Sequence, residues 1–323
     1  MKNYNYATSL SILFFISACG GGGGGGGSSP SASSAFNFTA SGTLIGVSSD
    51  VYDYGSYVTS DAAPMCAPST ESCQPGVEIV VNSATNGFTF YADQSSGADN
   101  YSSGYAFAAS DIASVTTLSD NYTLSATSYA YSSNDVANEY TRKVTIIVPS
   151  NYSYQYYLYW DNTHMTGQSS NKYKIGLVSP DYSTFASLPS SGTATYTGGA
   201  EMIYATDNYI YSGGGTASFS VNWAAKTISG TLNTMSLSAT GSNITFPVIT
   251  MPSTSITESA YSYDGSNGLA VFSGSPTFTG VGSSSQQEMY GHFLGSAYNE
   301  IGGTFAITSS GGNDGGGYFS AKR

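Results

Sequence analysis

The chain reads as an all-β protein in two parts, and three observations carry that reading. Helix formers such as Leu, Lys, Arg and Glu are scarce, while Gly (39) and Tyr (28) abound; this balance favours pleated, half-buried strands over helices. Short runs of alternating apolar residues recur along the chain, punctuated by Gly, Asn, Pro and Ser. Beyond Ser190 the runs become regular, with turn signals roughly every dozen residues, the spacing of an up-and-down antiparallel barrel.

The start of the chain sets the compartment. Lys2 precedes the apolar run Leu10–Ile16, which matches a secretory h-region and is too short to span a bilayer. It ends in Ile16-Ser17-Ala18-Cys19, which is similar to a bacterial lipobox. That similarity implies that residues 1–18 are a lipoprotein signal peptide and that Cys19 carries acyl chains; the competing reading is an ordinary signal peptide with a chance cysteine. Each buried lipid methylene contributes roughly 0.8 kcal/mol, so several acyl chains hold far more firmly than one. Residues 19–35 continue with Gly20–Gly27 and a Ser/Pro/Ala stretch, a flexible tether of r.m.s. length ~20 Å. The expected place is the outer membrane of a double-membraned bacterium, at the cell surface, with the lipid bilayer as a partner through the acyl anchor.

Residues 36–188 form the first folded segment. Strands are expected at Phe36–Ile45, Val77–Asn82, Gly87–Tyr91, Tyr105–Ala109, Tyr122–Tyr131 and Lys143–Val148. Cys66 and Cys73 read as a disulfide in an exported protein, because Cys19 is committed to lipid and they are the remaining pair. An unstrained ring of that size contributes about 2.5 kcal/mol by loop entropy. Metal ligation is the rival reading, though neither histidine lies nearby. The stiffened loop is either a binding loop or a protected one.

The densest aromatic stretch follows, Asn151-Tyr-Ser-Tyr-Gln-Tyr-Tyr-Leu-Tyr-Trp-Asp161. Alternation puts Tyr152, Tyr154, Tyr156, Leu158 and Trp160 on one face, with the core, and Tyr157 and Tyr159 on the wetter one. Tyrosine offers a large rigid area with a polar tip, so Tyr157 and Tyr159 are candidate ligand contacts. The blander reading is that they simply cover a sheet.

Residues 189–323 hold eight or nine expected strands, including Thr193–Thr197, Glu201–Ala205, Gly215–Trp223 and Thr227–Met235. Gly198–Gly199 and Gly213–Gly215 read as hairpin turns by context. The last stretch reads as a closing hairpin, with Phe293, Ile301, Phe305, Ile307, Tyr318 and Phe319 as its bulk and Gly311–Gly315 as its turn. The paired Gly302–Gly303 inside that strand signal a bulge, a sharp bend or the close approach of another backbone.

This closing stretch resembles the end of the β-barrel domain of transferrin-binding protein B and its smaller surface-lipoprotein relatives. Gly291, Phe293, Gly295, Glu300, Gly302, Gly303 and Phe305 match that pattern, as do Gly317, Phe319, Ala321 and Lys322. Ser296 stands where the family has proline, and Tyr298 where it has alanine. Leu188–Gly198 resembles the opening of the family's barrel, and Asn222–Gly230 its central hairpin. The resemblance implies an eight-stranded antiparallel β-barrel at residues 189–323 and, by position, a β-rich handle-like domain at 36–188. It also implies non-catalytic capture of a protein or small-solute ligand, in the setting of iron or haem acquisition.

Nothing in the sequence specifies an enzyme. Eight basic against twenty acidic residues, a net charge of −12, argue against nucleic acid, which requires clustered Lys and Arg. His164 and His292 are the only histidines and belong to no metal-ligand spacing. His292 falls in the closing hairpin as a wall residue, and no Gly-x-Ser-x-Gly elbow is present. No cofactor is expected; His164, with Met165 or a nearby tyrosine, is where a haem would attach. The alternative function is an integral or structural outer-membrane barrel with its tyrosines as membrane girdles.

Overall fold

This computed structural model describes residues 42–53, 60–63, 77–82, 86–92, 104–118, 126–135, 140–164, 171–206, 209–239, 241–259, 268–278, 284–309 and 314–323. Residues 35–323 form one compact unit containing two antiparallel ten-stranded sheets. Only two 3-10 turns, Ala109–Asp111 and Phe185–Ser187, interrupt the strands among these residues. No helix among them is long and apolar enough to cross a membrane, which leaves strands out of account.

The first sheet comprises β1 (Gly42–Asp53), β2 (Ser60–Ala63), β3 (Val77–Asn82), β4 (Gly87–Ala92) and β5 (Tyr105–Phe107), then β6 (Ile112–Leu118), β7 (Ala126–Asp135), β8 (Tyr140–Pro149), β9 (Tyr156–His164) and β10 (Asn171–Ser179). Its order is β5-β4-β3-β1-β10-β9-β8-β7-β6, with β2 paired to β1. The first and last long strands pair at its centre, Val47 opposite Leu177, and hairpins extend the sheet on both sides. The sheet curls until β5 meets β7. Phe107 faces Tyr131 with 6.3 Å between ring centroids, and the Tyr105 hydroxyl donates to Ser133 Oγ at 3.4 Å. The curl encloses a core of Phe88, Phe90, Tyr156, Leu158 and Trp160, where edge-on aromatic pairs such as Phe90–Trp160 (5.2 Å) fill volume that aliphatic side chains elsewhere supply.

The second sheet comprises β11 (Thr193–Ala205), β12 (Ile210–Asn222), β13 (Thr227–Ala239), β14 (Ser242–Phe246) and β15 (Ile249–Glu258), then β16 (Ala270–Gly274), β17 (Thr277–Phe278), β18 (Ser284–Leu294), β19 (Glu300–Ser309) and β20 (Asp314–Lys322). It closes. β13 pairs with β15, Leu232 opposite Ile249, and β20 returns to β11, Phe319 opposite Ala200. The ring β11-β12-β13-β15-β16-β18-β19-β20 is the eight-stranded antiparallel barrel expected from the sequence, with β14 and β17 pairing alongside it. Its interior is filled rather than hollow. Phe219 lies 4.9 Å from Phe319 and Phe272 lies 5.8 Å from Phe293, while Trp223 and Phe305 join the same cluster. A barrel of eight strands has just enough room for such side chains.

One expectation is overturned here. Gly198–Gly199 and Gly213–Gly215 are not hairpin turns; they lie inside β11 and β12, Gly198 opposite Ala217 and Gly213 opposite Met202. Thr193–Thr197 and Glu201–Ala205, expected as separate strands, are therefore one strand of 13 residues. The physical reason is close approach. A Cβ on Gly198 would run into the carbonyl oxygen of Ser320, and one on Gly213 into that of Ser236. Here glycine marks crowding between strands rather than a reversal of the chain.

Candidate functional site

The residues singled out in β9 point to the place where the two sheets meet. Strand alternation holds for three of the five residues expected on the core face: Tyr156, Leu158 and Trp160 enter the core of the first sheet, while Tyr152 and Tyr154 lie in the turn before β9 and meet the barrel instead. The opposite face is not wet. Tyr157 is fully buried and stacks on Tyr318 of β20, with ring centroids 3.9 Å apart and planes 20° from parallel. Ile147, Ile175 and Leu177 from the first sheet and Ile203 and Leu269 from the second complete this apolar seam. Tyr157 as a ligand contact is thus corrected: its large rigid area is spent on the barrel, because both faces of β9 are covered. Tyr159 is half-buried at the rim of the seam, where its hydroxyl donates to Glu201 Oε2 at 3.3 Å.

The electrostatics of the seam keep these phenols neutral. Burial, with the nearby carboxylates of Glu201 and Glu300, pushes the Tyr157 hydroxyl well above its usual range. Burial with Glu201 does the same for Tyr318. Neutral phenols act as hydrogen-bond donors here, and the anionic form that would ligate a hard metal is disfavoured.

Above the apolar part lies a polar one, contributed by the turn between β8 and β9. Glu300, the first residue of β19, is buried, and its carboxylate accepts from the backbone N–H of Ser153 at 2.7 Å and of Tyr154 at 3.2 Å. Gln155, also buried, donates from Nε2 to Glu300 Oε2 (3.2 Å) and to the carbonyl of Ile301 (3.3 Å). Its Oε1 accepts from the Tyr157 hydroxyl at 2.7 Å and from Ser320 Oγ at 2.5 Å. Four hydrogen bonds satisfy this amide completely, as a buried amide requires. The three options left open for Gly302–Gly303 resolve to close approach. A Cβ on Gly302 would sit 2.7 Å from Gln155 Oε1, and one on Gly303 would strike the carbonyl oxygen of Tyr290.

His292 is a wall residue, as expected, on the outward face of β18. It is buried, its ring meets Tyr182 edge-on at 5.2 Å, and burial lowers its pKa to about 3. It is neutral at physiological pH and is not a general acid. His164 ends β9 opposite Tyr140, and its side chain lies outside the described residues, as do Cys19, Cys66, Cys73 and Met165. Among the described residues, no three of His, Cys, Asp and Glu gather as a metal site. Glu300 and Gln155 are the residues that sequence reasoning missed as partners. Glu300 was legible as an acid in a strand otherwise built from apolar and small residues; Gln155 carried no signal of its own.

Comparison with known proteins agrees with the barrel. The family described as the C-lobe and N-lobe β barrels of Tf-binding protein B matches residues 188–323. No curated protein matches the sequence. Among solved structures, a double mutant of transferrin-binding protein B from Haemophilus parasuis is similar at 14% identity, over 87% of this chain and 75% of that one, with a TM-score of 0.43. Transferrin-binding protein B from serogroup B Neisseria meningitidis is similar at 12% identity, over 87% and 76%, with a TM-score of 0.38. HpuA from Kingella denitrificans, solved in complex with human haemoglobin, is similar at 12% identity, over 90% of each chain, with a TM-score of 0.39. The closed ring of strands, its aromatic filling and the glycine-rich last hairpin all fall within residues 188–323, the part of the chain that is similar to the transferrin-binding protein B β-barrels.

Proposed function

We propose that this chain is a lipid-anchored outer-membrane protein that captures a protein or small-solute ligand at the cell surface, without chemistry on it, in the service of iron or haem acquisition. The observation that carries this reading is a family barrel with a filled interior. A barrel packed with Phe219, Phe272, Phe293 and Phe319 holds no solute, so capture falls to the outer surface and to the loops of both sheets. Relatives in the matched family are named for binding transferrin, and the barrel supplies the same platform here. Cys19 as the acylated residue and residues 20–35 as tether supply the attachment that such a platform needs.

The outer wall of the barrel supports this reading over an integral barrel. On the part of β11, β12 and β13 away from the seam the outward positions include Thr193, Thr195, Thr197, Ser218, Ser220 and Ser229, exposed or half-exposed. A lipid-facing band would need apolar residues there. Immobilised full-length chain exposed to host serum, with transferrin and haemoglobin as separate probes, tests the proposal. Saturable retention of a serum protein is the expected result. No retention, together with a Cys19→Ala chain that stays embedded after carbonate extraction, would sink it. Haemin titration is expected to leave no stoichiometric Soret band; a band lost with His164→Ala would instead assign haem to His164.

A further inference from the structure

The turn that joins β8 to β9, residues 151–155, touches the barrel at every position. Lys322 Nζ donates to the carbonyl of Asn151 at 3.2 Å. The Tyr152 hydroxyl donates to the carbonyl of Ser320 at 3.3 Å, and the Lys322 ammonium lies 5.9 Å from the centre of its ring. Ser153 and Tyr154 give their backbone N–H groups, and Gln155 its amide, to Glu300.

The barrel is shaped to receive this segment. A Cβ on Gly198 would lie 2.5 Å from the Tyr152 hydroxyl, one on Gly295 2.6 Å from the Tyr154 ring, and one on Gly302 2.7 Å from Gln155 Oε1. Three glycines on three different barrel elements thus leave room for Tyr152, Tyr154 and Gln155 in turn. Two of them, Gly295 and Gly302, belong to the same stretch as Glu300.

We propose that Glu300 and Gln155 are a positioning pair, which fixes the alignment of the first sheet on the barrel and thereby the shape of any surface the two present together. The aliphatic part of the seam by itself does not select one alignment, because burial of Ile147, Ile175, Leu177 and Ile203 is a non-directional contribution. The polar contacts do. Each oxygen of Glu300 faces only N–H donors, and Gln155 uses both amide ends in two directions, so a shift of about an ångström breaks several charge-assisted bonds at once. Leaving such groups buried and unpaired is costly, which makes the observed alignment the one that satisfies all of them.

The proposal rests on the capture reading only for its purpose; the alignment itself is measured with no ligand present, so the two fail separately. The full chain receives one spin label at Thr117 on β6 and one at Ser220 on β12, both exposed. Labels enter through encoded ketone residues, which leaves the native cysteines untouched. The parent chain is expected to give one narrow distance distribution. Glu300→Ala and Gln155→Ala should each broaden it, Glu300→Gln less so because one acceptor survives, and the double Ala variant little more than either single. Amide exchange at Ser153 and Tyr154 in Glu300→Ala should rise about ten- to a hundredfold, the size expected for losing hydrogen bonds to a charged acceptor. Should Glu300→Ala fail to fold, Gln155→Ala and Glu300→Gln carry the same test. A narrow, unshifted distribution in the folded variants overturns the proposal, as does broadening that is additive in the double variant.

Discussion

The barrel has two outer walls built on one interior, and they differ in what covers them. At one end of β11 and β12, residues 193–197 and 216–220, every second residue faces solvent and is a hydroxyl, as at Thr195, Thr197, Thr216, Ser218 and Ser220, whereas Ile203 further along β11 joins the seam. On β18 to β20 the same outward positions are Leu294, His292, Gly302, Thr304, Tyr318 and Ser320, all buried: Tyr318 lies against Tyr157, Ser320 and Gly302 against Gln155, and His292 and Leu294 against Tyr182 of the connecting segment. The inward positions of both walls are the same kind of residue, Phe219 on one and Phe305 on the other. A strand periodicity of two therefore identifies the lumen on either wall, and only the outward residues record whether a neighbour lies there. Where one does, the wall becomes mixed: glycine for clearance, an aromatic for area, and an acid for direction.

This contrast can be broken experimentally, and truncating the aromatic seam should do most damage. Tyr318→Ala is expected to cost about 3–5 kcal/mol in denaturant unfolding, as for large aromatic truncations in cores. A cost under ~1 kcal/mol would mean that the buried wall behaves like the free one. Overpacking comes next. Gly302→Val puts branched carbon where Gln155 Oε1 sits and should cost ~1–3 kcal/mol. The matching change on the free wall, Thr197→Val, should be close to neutral.

Acid should sharpen the difference further through His292. Its folded pKa of about 3 lies below the unfolded value of 6.5, so below pH 6.5 the unfolded chain binds a proton that the folded one does not. Stability should fall as pH drops through that window, by up to ~1.4 kcal/mol per pH unit, and level off near the folded pKa. His292→Leu should flatten that part of the curve; an unchanged slope would remove His292 as its cause. The smallest effect is expected on the free wall, where Thr195→Ala and Ser220→Ala should each stay within ~0.5 kcal/mol in the same unfolding measurement.

How much of this was legible depended on whether a residue's partner was near in sequence. The closing hairpin announced itself by alternation of Phe293, Ile301, Phe305 and Ile307 around a glycine-rich turn, though Tyr318 and Phe319, grouped as its bulk, enter different clusters. The same periodicity split β9 correctly into two faces. It could not say that the second face was covered, because Tyr318 lies far away along the chain from Tyr157. Glycine misled at Gly198 and Gly213 for a related reason. A run of glycines marks backbone freedom or backbone crowding with equal fidelity, and only the neighbouring strand distinguishes them.

Local chemistry written into the order of residues was enough to establish the all-β class, the eight-stranded barrel and its family resemblance. Those properties follow from alternation, turn residues and composition, all of which act over a few positions. Tertiary structure decided which wall is free and which is covered, turned Tyr157 from a contact candidate into core, and joined Glu300 to Gln155 across 145 positions of chain. Hydrogen bonds and packing between such distant residues leave no period to read, because each side is chosen to complement a surface that exists only once both sheets have formed.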